Sequence, residues 1–137
     1  MDSEVGGVLL TDGRYSILLH PPVSYPDGHG FHQQVDLVGG PFRGSINASS
    51  YEGPLTLRSF HEQLVALYDG LAGKAQLPDT YENLKVSLTG DGLGHIGVHV
   101  DAIAGDTMDT RLSFRFQIDQ TYLPRIVAVI EEWLAAI

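Results

Sequence analysis

The sequence predicts an α+β fold: an antiparallel sheet of about seven strands with two helices, the C-terminal helix packed on the last three-strand meander. Alternating apolar and polar residues, typical of half-buried strands, fill the first third of the chain and return after a central segment of helical periodicity. A second helical stripe of apolar residues closes the chain. We assign residues 1–137 to a single domain, because 43% hydrophobic residues are enough to build one core.

Four strands are predicted in the first third of the chain. The turn signal Asp12-Gly13 comes before alternation over residues 15–19, which indicates a hairpin. Two prolines then stop the strand and begin a loop rich in Pro, Gly and His, which runs over residues 20–30. Strands resume over residues 34–38 and 42–49, and the second of these alternates strictly, which predicts one buried and one solvated face.

A helix is predicted between Ser59 and Leu71. Ser59 and Glu62 have the spacing of a capping box, in which each side chain accepts a free backbone N–H at the start of a helix. Gly70 and Gly73 offer left-handed residues to end it. The apolar residues recur with the helical period: Phe60, Leu64, Leu67, Tyr68 and Leu71.

The second half predicts a three-strand meander. Residues 84–89 alternate, Gly90-Asp91-Gly92 turns the chain, and residues 95–101 and 111–119 alternate again. The turn leads from strand to strand, so it is not a phosphate-binding loop, which would open a helix. The apolar face of this meander, which includes Phe114, needs a cover.

The C-terminal segment is predicted to be that cover. Asp119 or Thr121 can cap a helix there, and Pro124 falls in or next to its first turn, where proline is tolerated. Trp133 is expected in the core together with Phe114. The apolar stripe consists of Leu123, Ile126, Val127, Ile130, Trp133, Leu134 and Ile137.

Charge and composition limit the classes of function. Seventeen acidic residues against eight Lys and Arg give a formal net charge of -9 at pH 7. Nucleic acid and anionic membranes need a cationic surface, so a basic protein partner is favoured over both. The absence of cysteine excludes a disulfide scaffold, a Cys-ligated metal and a cysteine nucleophile. Asp2 and Glu4 stand where a signal peptide carries positive charge, so a cytoplasmic protein is expected.

Histidines supply the alternatives. His29 and His32, with His20 nearby, suggest a metal or ligand loop, although only Asp27 stands close as a carboxylate and a plain surface loop is the simpler interpretation. His95 and His99 share the polar face of one predicted strand but lie about 13 Å apart, too far to bind one zinc ion together.

Cross-strand charge pairing is therefore the favoured interpretation of that face, where Asp101 is expected beside Arg111 and Arg115. No catalytic residue, metal site or cofactor is predicted. The alternative function is a small ligand- or metal-binding domain, or an enzyme, that uses the His29/His32 loop or the His95/His99 face. A third is a homo-oligomer that pairs through a sheet edge.

The order of segments resembles the WapI-type immunity protein family, small bacterial antidotes encoded beside contact-dependent polymorphic toxins. The resemblance runs from about Phe42 to the C-terminus, and its most specific parts are Gly-His-Ile at 94–96 and Asp-Gln-Thr-Tyr-Leu at 119–123. It implies a non-enzymatic cytoplasmic protein that binds and neutralises a cognate toxin domain. The acid excess fits a basic toxin such as a nuclease. We expect the toxin-binding residues among acids in loops: Asp27, Glu52, Asp79, Glu82, Asp91, Asp106 and Asp109.

Overall fold

The computed structural model describes residues 6–50, 54–77, 81–104 and 109–136. The first half contains the strands β1 (Val8–Thr11), β2 (Tyr15–Leu19), β3 (Val23–Ser24), β4 (Phe31–Gly39) and β5 (Phe42–Ser50), followed by helix α1 (Pro54–Gly70). The second half contains β6 (Ala72–Gln76), β7 (Tyr81–Glu82), β8 (Leu84–Asp91), β9 (His95–Ala104), β10 (Thr110–Asp119) and helix α2 (Tyr122–Ala136).

The strands form two antiparallel sheets. The first sheet has the order β1-β2-β4-β5-β7, with β3 paired to β4, and the second has the order β10-β9-β8-β6. The α+β class, the two helices and the β8-β9-β10 meander are confirmed, whereas the prediction of one sheet of about seven strands is wrong. Alternation shows which residues of a strand face inward, but it carries no information about which other strands complete its sheet.

The two sheets pack against one core. Strand β10 contacts β1, β2 and β4, so it crosses several strands of the opposite sheet. Phe114 lies with its ring centroid 5.7 Å from that of Tyr15. Gly39 leaves room for this ring, because a Cβ there would lie only 3.0 Å from Cδ2 of Phe114. Phe114 and Trp133 are buried as predicted, with exposed fractions of 8% and 1%.

Strand β5 corrects one predicted face. Its first half is exposed, and Phe42 keeps 67% of its surface in solvent, whereas Ala48 near the other end is fully buried. The strict alternation of this strand predicted a buried face along its whole length. Only the C-terminal half of β5 reaches the core, so period-2 alternation overestimates burial where a strand extends beyond the element that covers it.

Helix α1 begins five residues earlier than its predicted capping box. Pro54 takes its first position, where a missing N–H costs nothing, and Ser59 lies inside the helix, accepting a bond from Gln63 Nε2 at 3.2 Å. The predicted capping role of Ser59 is therefore wrong. At the other end, Leu71 adopts the left-handed conformation (φ 57°) where a glycine was expected, and its N–H donates to the carbonyl of Leu67 at 2.7 Å.

Contrary to the prediction, helix α2 does not pack mainly on the meander. Its closest elements are α1 and the edge strand β1 of the first sheet. The hydroxyl of Tyr122 donates to the carbonyl of Thr11 at 3.1 Å, and Trp133 Nε1 donates to the carbonyl of Gly6 at 3.4 Å. The helix therefore joins the two halves of the chain instead of covering only the second. Ile137 of the predicted stripe lies outside the described residues.

In the described ranges neither helix combines the length and the apolar character that crossing a membrane requires.

Candidate protein-binding surface

The β8-β9 turn holds an apolar side chain in solvent. Asp91 Oδ1 accepts the N–H of Leu93 at 2.7 Å and that of His95 at 3.2 Å, and Asp91 Oδ2 lies 2.8 Å from His95 Nδ1. Gly92 and Gly94 adopt left-handed φ values of 83° and 99°, which let the chain reverse here without strain. Leu93 at the tip is 81% exposed. A turn with this many bonds presents Leu93 at little further cost in conformational entropy.

Two further acidic residues lie at the same end of the molecule. Asp12, in the β1-β2 turn, accepts the N–H groups of Arg14 and Tyr15, both at 2.8 Å. Asp119, the last residue of β10, accepts the N–H of Thr121 at 2.8 Å and also its hydroxyl. Thr121 directly precedes the first residue of α2, so Asp119 is not the cap of this helix, and its carboxylate instead fixes the turn that leads into α2.

These turns surround an open groove of about 480 Å³. Asp12, His95, Asp119 and Tyr122 line it, and Asp91 contacts it through its bond to His95. We call this site, with its three aspartates and His95, the acidic groove. Asp119 and His95 are neighbours in this groove because they are direct partners in the β9-β10 register.

Hydrogen bonds lower the pKa of all three aspartates. The N–H groups of Tyr15 and Arg14 lower the pKa of Asp12. The N–H of Leu93 and then the imidazole of His95 lower the pKa of Asp91. The Thr121 hydroxyl and N–H do so for Asp119. Donors aimed at a carboxylate favour its charged form, so the groove keeps its negative charge in neutral and mildly acidic solution.

Those predicted toxin-binding acids whose side chains the structure describes do not form one surface. Asp91 belongs to the acidic groove, whereas Asp109 lies beyond the opposite end of β9, a strand roughly 30 Å long. Asp27 lies in the loop between β3 and β4. Glu82 belongs to β7, although its side chain is not among those the structure describes. The remaining three lie outside the described residues: Glu52, Asp79 and Asp106.

Asp12, Asp119 and Leu93 were not predicted from the sequence as residues of a binding surface. Asp12 was assigned to a turn, which agrees with the structure, whereas Asp119, predicted as a possible helix cap, bonds Thr121 in the turn before α2. No local signal shows that these two turns meet, because more than one hundred residues separate them. The sequence indicates the exposure of Leu93 only weakly, through the position of this large apolar residue between two glycines in a turn.

The histidines of the alternative hypotheses have ordinary partners. His95 pairs with Asp91, and His99 Nε2 lies 3.5 Å from the Ser113 hydroxyl. Arg111 Nε lies 3.3 Å from Asp101 Oδ1, which confirms one of the expected charge pairs, whereas Arg115 lies opposite His99 in the register.

The predicted histidine loop shows a shallow hollow of about 340 Å³. Tyr25, Asp27 and His29 line it together with Pro26. His32 instead lies in β4, with its ring centroid 5.4 Å from that of Tyr25. Within the part of the chain that the structure describes, no three His, Cys, Asp or Glu residues lie close enough together to hold a metal ion.

Comparison with known proteins finds a family match. The model of the family described as "Immunity protein WapI-like family" matches residues 25–137, somewhat more of the chain than the sequence resemblance covers. No curated protein matches the sequence. Among solved structures, the crystal structure of WHY1 from Arabidopsis thaliana is similar, with a TM-score of 0.48 and 12% sequence identity, over 98% of this chain and 86% of that chain.

Proposed function

The chain belongs to the WapI-like immunity protein family, and from this premise we propose that it binds and neutralises a cognate bacterial toxin domain through the acidic groove. Family membership implies an inhibitor that acts by binding, not by catalysis. The finer parts of the proposal are that the toxin belongs to a polymorphic toxin system, that it carries a basic surface such as the substrate groove of a nuclease, and that binding takes place in the cytoplasm.

One observation carries the choice of surface: an 81% exposed leucine, Leu93, is held beside Asp91 in a turn fixed by hydrogen bonds. Protein interfaces typically combine an apolar anchor near the centre with a polar or charged rim. Asp12 and Asp119 extend the charged rim along the groove. Negative charge on the rim accelerates the encounter with a basic partner and suppresses the wrong ones.

The loop acids outside the groove stay predictions. Asp27 and Asp109 are too far from Asp91 along the fold to join the same compact patch, so they contribute only if the toxin contacts a wide area. Reversing their charges should therefore weaken association at low salt less than reversing the charge of Asp91 does.

A co-expression rescue tests the function. The toxin domain encoded immediately upstream is expressed in a sensitive host with and without this chain, and survivors are counted. Survival only with this chain is the expected result. Death in both cultures, with the chain soluble and folded, would overturn the proposal.

The surface is tested separately with exposed leucines. Leu93→Ala should weaken toxin binding about tenfold, the effect of losing a modest interface anchor, without changing the melting temperature. Leu55→Ala is the matched control, because Leu55 is also exposed (59%) but lies at the start of α1. Titration calorimetry with the purified toxin domain measures both variants. Equal affinities for the two would place the interface elsewhere, even if rescue succeeds.

A further inference from the structure

The outer face of the second sheet, which points away from the core, gathers half of the eight Lys and Arg residues of the chain. Lys74 lies on β6, Lys85 on β8, and Arg111 and Arg115 on β10, and all four are exposed. His99 on β9 lies between them, opposite Arg115 in the register. We call this surface the cationic face.

Two adjoining shallow grooves run across the cationic face. One, of about 260 Å³, is lined by Lys74, Lys85, His99 and Asp101 among others. The second, of about 330 Å³, shares Lys74 and His99 and continues to Arg115. Gly97 lies in this second groove, and its missing side chain leaves a gap between the flanking strands. The strands thus supply a continuous depression that crosses the whole sheet.

Positive charge dominates this depression. Lys74, Lys85 and Arg115 line it against one acidic residue, Asp101, whose Oδ1 lies 3.3 Å from Arg111 Nε. None of the three lining cations forms an ion pair with another residue in the described ranges. A chain with a net charge of -9 therefore keeps one local surface of the opposite sign.

We propose that the cationic face binds an extended acidic segment of a protein partner. From strand spacing and rise, Lys85 and Arg115 lie about 12 Å apart and Lys74 and Arg115 about 16 Å apart. In an extended peptide, residues i and i+4 point to the same side and lie about 14 Å apart. Two carboxylates with this spacing reach two cations at once, while the polar groups of Ser87 and His99 remain available to the peptide backbone.

Nucleic acid fits this face less well than a peptide. Single strands bind to sheets by stacking their bases on aromatic side chains, and the outward positions of β6, β8, β9 and β10 that the structure describes carry no Phe, Tyr or Trp. A polyphosphate also meets the repulsion of the whole chain at -9, whereas a short segment with two or three carboxylates meets far less. The proposal concerns a surface other than the acidic groove and does not depend on the toxin.

The test uses the full chain and two labelled probes. A peptide of alternating glutamate and glycine and an oligothymidylate of equal charge are titrated in low salt, with binding followed by fluorescence anisotropy. The double variant Lys85→Gln/Arg115→Gln should weaken peptide binding about tenfold, the sum of two exposed charge pairs. The matched control is Arg43→Gln/Arg58→Gln, which removes the same charge from β5 and α1 and should leave the peptide affinity nearly unchanged.

Amide resonances locate the site. The peptide should shift those of Ser87, Gly97 and His99, which line the depression, more than those of the first sheet. Tighter binding of the oligothymidylate to this face would overturn the proposal in favour of nucleic acid. Equal losses in both double variants, or no peptide binding by the wild type, would overturn it outright. None of these results bears on the toxin rescue, so the two proposals can fail separately.

Discussion

The solvated faces of the two sheets differ in how well their carboxylates are hydrogen-bonded. On the first sheet, Asp36 accepts hydrogen bonds from His20 Nε2 and the Ser45 hydroxyl, both at 2.7 Å, and from Gln34 Nε2 at 3.1 Å. On the second sheet, Asp101 has one charged neighbour at 3.3 Å, in a geometry too poor for a hydrogen bond. One carboxylate is therefore satisfied within its own sheet and the other is not.

This difference indicates which face is available to a partner. The bonds from His20, Ser45 and Gln34 lower the pKa of Asp36 to about 2, so this network stabilises the fold and leaves little unmet hydrogen-bonding capacity. The second sheet instead keeps Lys74, Lys85 and Arg115 without ion pairs in the described ranges. Charges that do not stabilise the fold at their own site are candidates for binding.

The largest expected effect tests whether the two sheets, whose outer faces differ, share one hydrophobic core. Ile17 of the first sheet and Ile96 of the second are both fully buried in the same hydrophobic cluster. Ile17→Ala and Ile96→Ala should each lower the free energy of unfolding by about 3 kcal/mol, from lost burial and the cavity left behind. Urea unfolding followed by circular dichroism and by Trp133 fluorescence measures this. Each variant should unfold in one transition, and separate transitions for the two sheets would contradict the shared core.

A glycine pair sharpens the contrast between the inner and outer sides of the second sheet. A Cβ on Gly90 would lie 2.5 Å from the Leu71 carbonyl oxygen and 2.9 Å from Leu67 Cδ1, whereas on Gly97 the nearest atom is 3.7 Å away. Gly90→Ala should cost about 2 kcal/mol through this backbone clash. Gly97→Ala should be neutral within about 0.5 kcal/mol, since nothing opposes the methyl group. Thermal unfolding of both variants measures the two costs. Similar losses of stability would mean that the outer face has no more room for a methyl group than the inner face.

The carboxylates themselves give a smaller effect. Asp36→Asn should destabilise the protein by about 1 kcal/mol, a value already reduced for solvent screening because the Asp36 side chain is 35% exposed. Asp101→Asn should change stability by less than about 0.5 kcal/mol, because it breaks no well-formed hydrogen bond. Chemical denaturation at neutral pH compares the two. A larger loss for Asp101→Asn would reverse our assignment of the two faces.

The same pair predicts a pH dependence. The pKa of Asp36 is about 2 in the folded protein and 3.8 as its ordinary value, so its contribution to stability is fully present above about pH 4. That contribution is lost as the pH falls through 2, when the folded-state carboxylate becomes protonated. The difference in melting temperature between wild type and Asp36→Asn should therefore shrink between pH 4 and pH 2. A constant difference over this range would show that Asp36 acts through packing and not through its charge.

Single elements and their order along the chain were predicted better from the sequence than the exact ends of those elements. The order of the three strands in the β8-β9-β10 meander was predicted correctly because these strands are neighbours in the chain, although each strand extends further than predicted. The start of α1 was missed, since Ser59 and Glu62 satisfy the capping-box spacing while Pro54 provides a competing start five residues earlier. At the candidate site, Asp91 was proposed from its place in a predicted turn, and its part in binding stays a prediction.

The sequence by itself determined both helices, the longer strands and most of the side chains that face the core, because periodicity, proline and glycine act within a few residues. The short strands β3, β6 and β7 were not predicted. The sequence also determined the net charge and the family. Only the tertiary structure decided that the strands divide into two sheets, that Asp12 meets Asp119 and His95 in one groove, and that Lys74 and Arg115 share one face. These outcomes depend on contacts between residues far apart in the chain, which are selected by the packing of the whole core.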